Sequence, residues 1–146
     1  QTMNKPGEDL IKACEGYSSK AYPDPATGGA PWTIGWGSTR GVTENMEVTE
    51  EEAQDMFDQE YLEVCKQIEE WLVVPAKDNQ LGAMISLAYN IGLSNFHKSS
   101  VLRFHNQMAF EDAATSFLLW DKAAGKVMQG LERRREKERA MYLGLV

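Results

Sequence analysis

The feature that most constrains this chain is the pattern opened by Thr49-Glu50-Glu51-Glu52. A threonine with a glutamate three residues on is a capping box, and acids in the first turn suit the positive end of a helix. Apolar residues then recur at Ala53, Phe57, Tyr61, Val64, Ile68 and Trp71, with Glu60 beside Tyr61 on the same stripe. No breaker intervenes before Pro75, which disfavours helical backbone at the residue preceding it. The spacing predicts a single helix of about 23 residues, roughly 34 Å at 1.5 Å per residue. In a chain of 146 residues, such a helix is long enough to cross between two lobes, and the remaining segments divide around it.

Before it, residues 7–15 carry Leu10, Ile11 and Cys14 at helical spacing, closed by Gly16. Residues 22–31 (YPDPATGGAP) are rich in proline and glycine and predict a loop. Residues 32–36 alternate as a strand, with Trp32, Ile34 and Trp36 on one face and Thr33 and Gly35 on the other. After it, residues 78–91 are apolar on most sides and predict a central buried helix closed by Gly92. Ser99 or Ser100 caps a short helix through Val101 and Phe104. Two more helices are predicted, over 109–120 and 130–143. The expected class is α+β and mostly helical. One domain over 1–146 divides into a small β-containing lobe at 16–48, a connecting helix at 49–74 and a helical lobe at 75–146.

Hydrophobic residues make up 42% of the chain, enough for a chain of this length to bury a core without a metal or disulfide staple. No apolar run approaches the ~18 residues that a membrane helix needs, so stable membrane insertion of this segment is not expected. No signal-peptide pattern is visible, and since the chain begins at Gln1 that says little of any parent protein. The formal charge of −7 is uneven. Residues 44–70 hold 11 acids and one base, whereas 120–146 hold seven bases and four acids. This balance lacks the basic footprint of a nucleic-acid binder, and no nucleic-acid partner is expected. The basic C-terminal segment reads as an ordinary solvated helix of alternating charge. Cys14 and Cys65 share no metal-like or redox-like spacing and read as buried free thiols. His97 and His105 lack accompanying acids at ligand spacing, so neither metal nor cofactor is expected.

The chemistry concentrates in residues 15–39, EGYSSKAYPDPATGGAPWTIGWGST. Glu15 ends a helix and borders its apolar stripe. An apolar border and the electronegative end of a helix both disfavour a charged carboxylate, as a general acid requires. Asp24 lies between Pro23 and Pro25, which stiffen its loop; an exposed aspartate there stays ionised and can act as a base toward water. Thr33 shares a strand face with Gly35 and, further on, Gly37, a bare face that a ligand could approach. Its hydroxyl could orient water or a substrate group. Taken singly, each has a plain explanation: a solvated glutamate, a turn aspartate, a β-favouring threonine. Together, two carboxylates in different settings are what cleavage of a sugar bond needs. Trp32 and Trp36 could stack on sugar rings, though core packing is the better account of at least one.

With these residues in view, the chain resembles the phage-type lysozymes, the endolysin muramidases of the T4-like and lambdoid group (glycoside hydrolase family 24). The resemblance runs through EGYSSKAYPD, WTIGWGST (close to the family's TIGYGHT), LAYNIG at 87–92, residues 96–102, FLLWDKAAGKVMQGL at 117–131 and RRREKERAMYL at 133–143. It implies a lysozyme-like fold, with a small N-terminal β-hairpin lobe, a long connecting helix and a helical C-terminal lobe. It implies hydrolysis of the β-1,4 bond between N-acetylmuramic acid and N-acetylglucosamine in bacterial peptidoglycan, by a monomer acting in the periplasm or on the cell wall. By the same resemblance Glu15 matches the general acid, Asp24 the second carboxylate and Thr33 the catalytic threonine; Asp24 and Thr33 together place the attacking water, with inversion at the sugar carbon. An arginine among 133–135 is implied as a partner of the glutamate.

The chain departs from the family pattern in three places. Eight residues separate Asp24 from Thr33 where the shorter pattern has five, Trp36 stands where tyrosine is usual, and Ser38 stands where histidine is usual. Loss of the histidine removes a possible buried ion pair but neither carboxylate. Two other functions fit such a chain: a non-catalytic glycan-binding or signalling module on the same fold, and a lytic transglycosylase, in which Asp24 would have no clear role.

Overall fold

A computed structural model describes residues 4–146. In chain order the elements are α1 (Lys5–Glu15), β1 (Ser18–Tyr22), β2 (Thr33–Gly35), α2 (Glu50–Trp71), α3 (Asp78–Ile91), α4 (Leu93–Lys98), α5 (Ser100–Asn106), α6 (Phe110–Phe117), β3 (Lys122–Ala123), β4 (Lys126–Val127) and α7 (Gln129–Tyr142). The mostly helical α+β class is as expected. No described helix is long and apolar enough to cross a membrane. The chain forms two compact units: residues 11–63, and residues 1–10 joined with 64–146. Both α1 and α2 begin in one unit and end in the other.

The unit of residues 11–63 is built on the hairpin β1–β2. The strands are antiparallel, with Ser18 opposite Gly35 and Tyr22 opposite Thr33, and the register is irregular between these pairs. On β1's other side, Ala21 donates to the Met46 carbonyl and Val48 to the Ser19 carbonyl. The capping box at the start of α2 forms as predicted: the Glu52 amide donates to Thr49 Oγ1 (3.1 Å) and the Thr49 amide to Glu52 Oε1 (2.9 Å). The core of this unit is Ile11, Ile34, Ala53, Phe57 and Tyr61, all fully buried. Trp36 packs between Tyr17 (ring centres 4.8 Å apart) and Phe57 (6.4 Å), with the Lys12 ammonium 4.2 Å from its ring centre. Trp36 therefore serves packing.

β2 is shorter than the predicted strand, covering three residues rather than five. The chain reverses at once: Ile34 and Ser38 exchange both backbone hydrogen bonds at 2.9 Å, with Gly35 and Gly37 at φ of +63° and +86°. The alternation therefore holds for buried Ile34 but does not carry on to Trp36. The bare face expected at these glycines is also corrected. A Cβ on Gly35 would meet Ala53 Cβ at 3.1 Å, and one on Gly37 would meet Glu15 Oε1 at 2.8 Å. The glycines admit the protein's own side chains, not open approach by a ligand.

The other unit centres on α3, whose residues Gly82 to Ala88 are all buried. Gly82 lets residues 4–7 approach closely: a Cβ there would lie 2.7 Å from Asn4 Oδ1 and 2.9 Å from the Gly7 nitrogen. α7 packs on α3 through a buried polar cluster. Glu138 accepts from Ser86 Oγ (2.6 Å), pairs with Arg135 Nε (2.8 Å) and Arg134 Nε (3.4 Å), and Arg135 also donates to Asn90 Oδ1 (2.8 Å). The solvated helix expected at the C-terminal end is thus half wrong: Arg134, Arg135 and Glu138 line its buried face. Elsewhere, Asn106 accepts from the Val73 amide and donates to the Trp71 carbonyl, closing the end of α2. The helix predicted over 109–120 stops at Phe117 and the next residues form tight turns. The hairpin β3–β4 and helix α4 had no sequence prediction. Cys65 is a buried free thiol, pushed up to about 12 by burial and by Glu69, and therefore inert. Cys14 forms no disulfide and is only half-buried, against expectation.

Candidate active site

Glu15, Asp24 and Thr33 all lie in the unit of residues 11–63. Glu15 is the last residue of α1. Gly16 follows at φ +70°, and its amide donates to the Lys12 carbonyl (3.0 Å), so the helix ends in a left-handed glycine as the sequence suggests. The side chain of Glu15 is half-buried and lies across the bare Cα of Gly37. Any larger residue at 37 would drive into the carboxylate.

Asp24 is also half-buried, not exposed as expected. Its carboxylate accepts from the Ala26 amide (2.7 Å), an Asx-turn. The enlarged loop closes on Asp24: its amide donates to the Gly29 carbonyl (2.9 Å), and its carbonyl accepts from Thr27 (3.2 Å) and Gly28 (2.8 Å). Thr27 Oγ1 then donates to the Ala30 carbonyl (2.7 Å). The added residues thus form a self-bonded turn that sits outside the strands.

Tyr22 links the three residues. It stands opposite Thr33 in the hairpin and two positions before Asp24. Burial raises the affinity of its hydroxyl for its proton, and the negative charge of Glu15 adds to that effect, so the Tyr22 hydroxyl is within electrostatic reach of Glu15. Thr33 is half-buried at the start of β2. The end of a helix, one strand pair and a closed turn therefore carry an acid, a second acid and a hydroxyl on adjoining backbone.

A third carboxylate belongs to this neighbourhood. Glu60 is half-buried in the middle of α2. Burial raises its pKa; Ser38 and Arg40 oppose that rise, and Glu63 and Glu15 reinforce it. The sequence carried a signal for it, an acid on the apolar stripe beside Tyr61, but that pattern alone gives no partner. Ser38, where the family has histidine, is fully buried.

Sequence comparison matches the phage lysozyme family over residues 12–138. The chain is 39% identical over 142 residues to the endolysin of Salmonella phage P22, with 94% of each chain covered. It is 35% identical to the endolysin of Bacillus phage B103 over 97% of its own length, and spans about half the length (54%) of that curated relative. Among solved structures, the muramidase domain of SpmX from Asticaccaulis excentricus superposes with a TM-score of 0.87 at 30% identity, covering 98% of both chains.

Proposed function

The chain belongs to the phage lysozyme family, and on that premise we propose that it is a muramidase hydrolysing the β-1,4 bond between N-acetylmuramic acid and N-acetylglucosamine in bacterial peptidoglycan. The observation that carries this reading is Glu15, a carboxyl group at a helix end, laid against Gly37 in the tight turn that follows the hairpin, whose loop bears Asp24 and whose second strand begins at Thr33. In this reading Glu15 gives its proton to the glycosidic oxygen as the bond to the muramic acid C1 breaks. Asp24 accepts a proton from the attacking water, which the Thr33 hydroxyl helps to hold. The proton then returns from Asp24 to Glu15 through solvent, restoring the starting state. The water adds from the face opposite the leaving oxygen, so the new reducing end is the α-anomer. The protein acts as a monomer on the cell wall.

Digestion of purified peptidoglycan tests this. The wild-type protein is expected to release new reducing-end muramic acid, and Glu15→Gln to release none above background. Undiminished release by Glu15→Gln overturns the role of Glu15. Release of 1,6-anhydro products overturns hydrolysis in favour of transglycosylation, and glycan binding without new ends overturns catalysis altogether. Proton NMR of the first products reads the anomer, and a β-anomer excludes the inverting course.

A further inference from the structure

The loop between Tyr22 and Thr33 holds Asp24 by bonds that converge on one side chain, Thr27. Asp24 stands between Pro23 and Pro25, neither of which has a backbone N–H to give. Its own amide is therefore the one backbone donor of residues 23–25, and it goes to the Gly29 carbonyl at 2.9 Å. Its carbonyl accepts from Thr27 at 3.2 Å and Gly28 at 2.8 Å, and its Oδ1 accepts from the Ala26 amide at 2.7 Å. The returning limb begins with Gly28 and Gly29, residues with the most backbone freedom to lose. Thr27 supplies what they lack. Its Oγ1 accepts from the Gly29 amide at 3.2 Å and donates to the Ala30 carbonyl at 2.7 Å. The hydroxyl thus fixes Gly29, the residue whose carbonyl receives the Asp24 amide. Thr27 itself is exposed, so this bonding, not burial, is what the residue contributes.

We infer that Thr27 is a positioning residue for Asp24: its hydroxyl locks the returning limb of the loop, and that limb holds the backbone of Asp24. This rests on the muramidase reading, in which Asp24 takes a proton from the attacking water. The Ala26 amide fixes one carboxylate oxygen, and the reaction needs only the other. A carboxylate that acts on a water held by a second group must keep its distance from that group. Small displacements then cost rate without weakening substrate binding. Thr33, the second group, starts the strand at the far end of the loop, and its pairing with Tyr22 closes the loop's base. Between Asp24 and Thr33, the Thr27 hydroxyl supplies the side-chain bonds that tie the outgoing limb to the returning one.

The experiment compares wild type, Thr27→Val and Thr27→Ser by steady-state kinetics on soluble peptidoglycan fragments and by amide hydrogen exchange. Thr27→Val keeps the branched shape and removes the hydroxyl. Its kcat is expected to fall about tenfold with KM within about twofold, short of the roughly hundredfold that a misplacement of about 1 Å can cost. Thr27→Ser, which keeps the hydroxyl, is expected to restore most of kcat. The Asp24 amide is expected to exchange about tenfold faster in Thr27→Val, while the amides of α2 keep their wild-type rates. A normal kcat in Thr27→Val, or unchanged exchange at Asp24, overturns the inference while the muramidase reading stands. So does a loss that Thr27→Ser fails to restore. Faster exchange in α2 as well marks a general loss of stability and also overturns it. A wild type that releases no new reducing ends overturns the muramidase reading, and the inference with it. If Thr27→Val does not fold, Thr27→Ala removes the same hydroxyl and is read by the same outcomes.

Discussion

Glu60 and Glu138 are both glutamates drawn into a helix's buried face, yet they are treated in opposite ways. Glu138, in the unit of residues 1–10 and 64–146, is fully buried and met by two guanidiniums and the Ser86 hydroxyl. Burial pushes its proton affinity up, and Arg135, Arg134 and Ser86 pull it back. Glu60, in the unit of residues 11–63, is half-buried, and Arg40, which favours its charged form, is bonded to exposed Glu63 at 2.9 Å. A buried acid surrounded by matched charge can hold elements together, because its charge is local to the cluster. A half-buried acid with less compensation keeps more of the cost of its burial, which raises its pKa. The contrast separates the two acids by compensation, not by depth alone.

Glu138→Ala gives the largest expected effect. It leaves two buried guanidiniums without their carboxylate, and breaking such a pair costs about 3–5 kcal/mol. Chemical denaturation measures it. Glu60→Ala leaves no stranded partner of that kind, and its cost is expected to be well under that of Glu138→Ala. Equal costs for the two would erase the distinction drawn between them.

Gly37→Ala comes next and probes the seat of Glu15 directly. Its backbone sits at φ +86°, and a Cβ would lie 2.8 Å from Glu15 Oε1. Strained backbone of this kind costs about 1–3 kcal/mol, and the glutamate side chain must also move. Activity is expected to fall further than the stability loss explains, measured as kcat at a temperature where the variant remains folded. A variant of normal kcat would mean that the seat of Glu15 on Gly37 is immaterial to the chemistry.

The parts of the molecule legible in the sequence were those fixed by neighbours along the chain. The capping box at Thr49, the stripe of α2, α3 with its closing Gly92 and the cap at Ser99 all depend on residues within a turn or two, and each formed where the pattern placed it. Glu15, Asp24 and Thr33 were nameable because they lie within one stretch of 19 residues, from 15 to 33. What stayed hidden depends on distant partners. The run 133–139 looks solvated until Ser86 and Asn90 are brought to it. Gly35 and Gly37 look open until Ala53 and Glu15 fill the space above them. The enlarged loop closes on Asp24 through backbone bonds that no alternation pattern reveals. A smaller test of the local side is Thr49→Ala, which removes the side-chain acceptor for the Glu52 amide. It is expected to cost about 1 kcal/mol by denaturation and to leave kcat unchanged.

The smallest effect is silent at neutral pH and asks whether polar matching in the larger unit depends on protonation state. His105 is fully buried between Tyr142 Oη (2.7 Å from Nδ1) and the Val74 carbonyl (3.0 Å from Nε2). A carbonyl only accepts, so Nε2 carries the hydrogen and Nδ1 accepts from the Tyr142 hydroxyl. Both ring nitrogens are then satisfied in the neutral form. Burial lowers the histidine's pKa below its ordinary 6.5, with the backbone carbonyls of Val74 and Pro75 acting weakly the other way. The unfolded chain therefore binds the proton first as pH falls. The contribution of neutral His105 to stability is whole above about 6.5, declines as pH drops through that value, and stops declining only below the lower folded pKa. His105→Gln keeps a donor and an acceptor but cannot titrate. Its stability between pH 7 and pH 5 is expected to slope less steeply than wild type, read by denaturation at each pH. Parallel slopes would mean that the buried imidazole takes up its proton as readily folded as unfolded, and that the polar pairs of this unit tolerate added charge as the surroundings of Glu60 do.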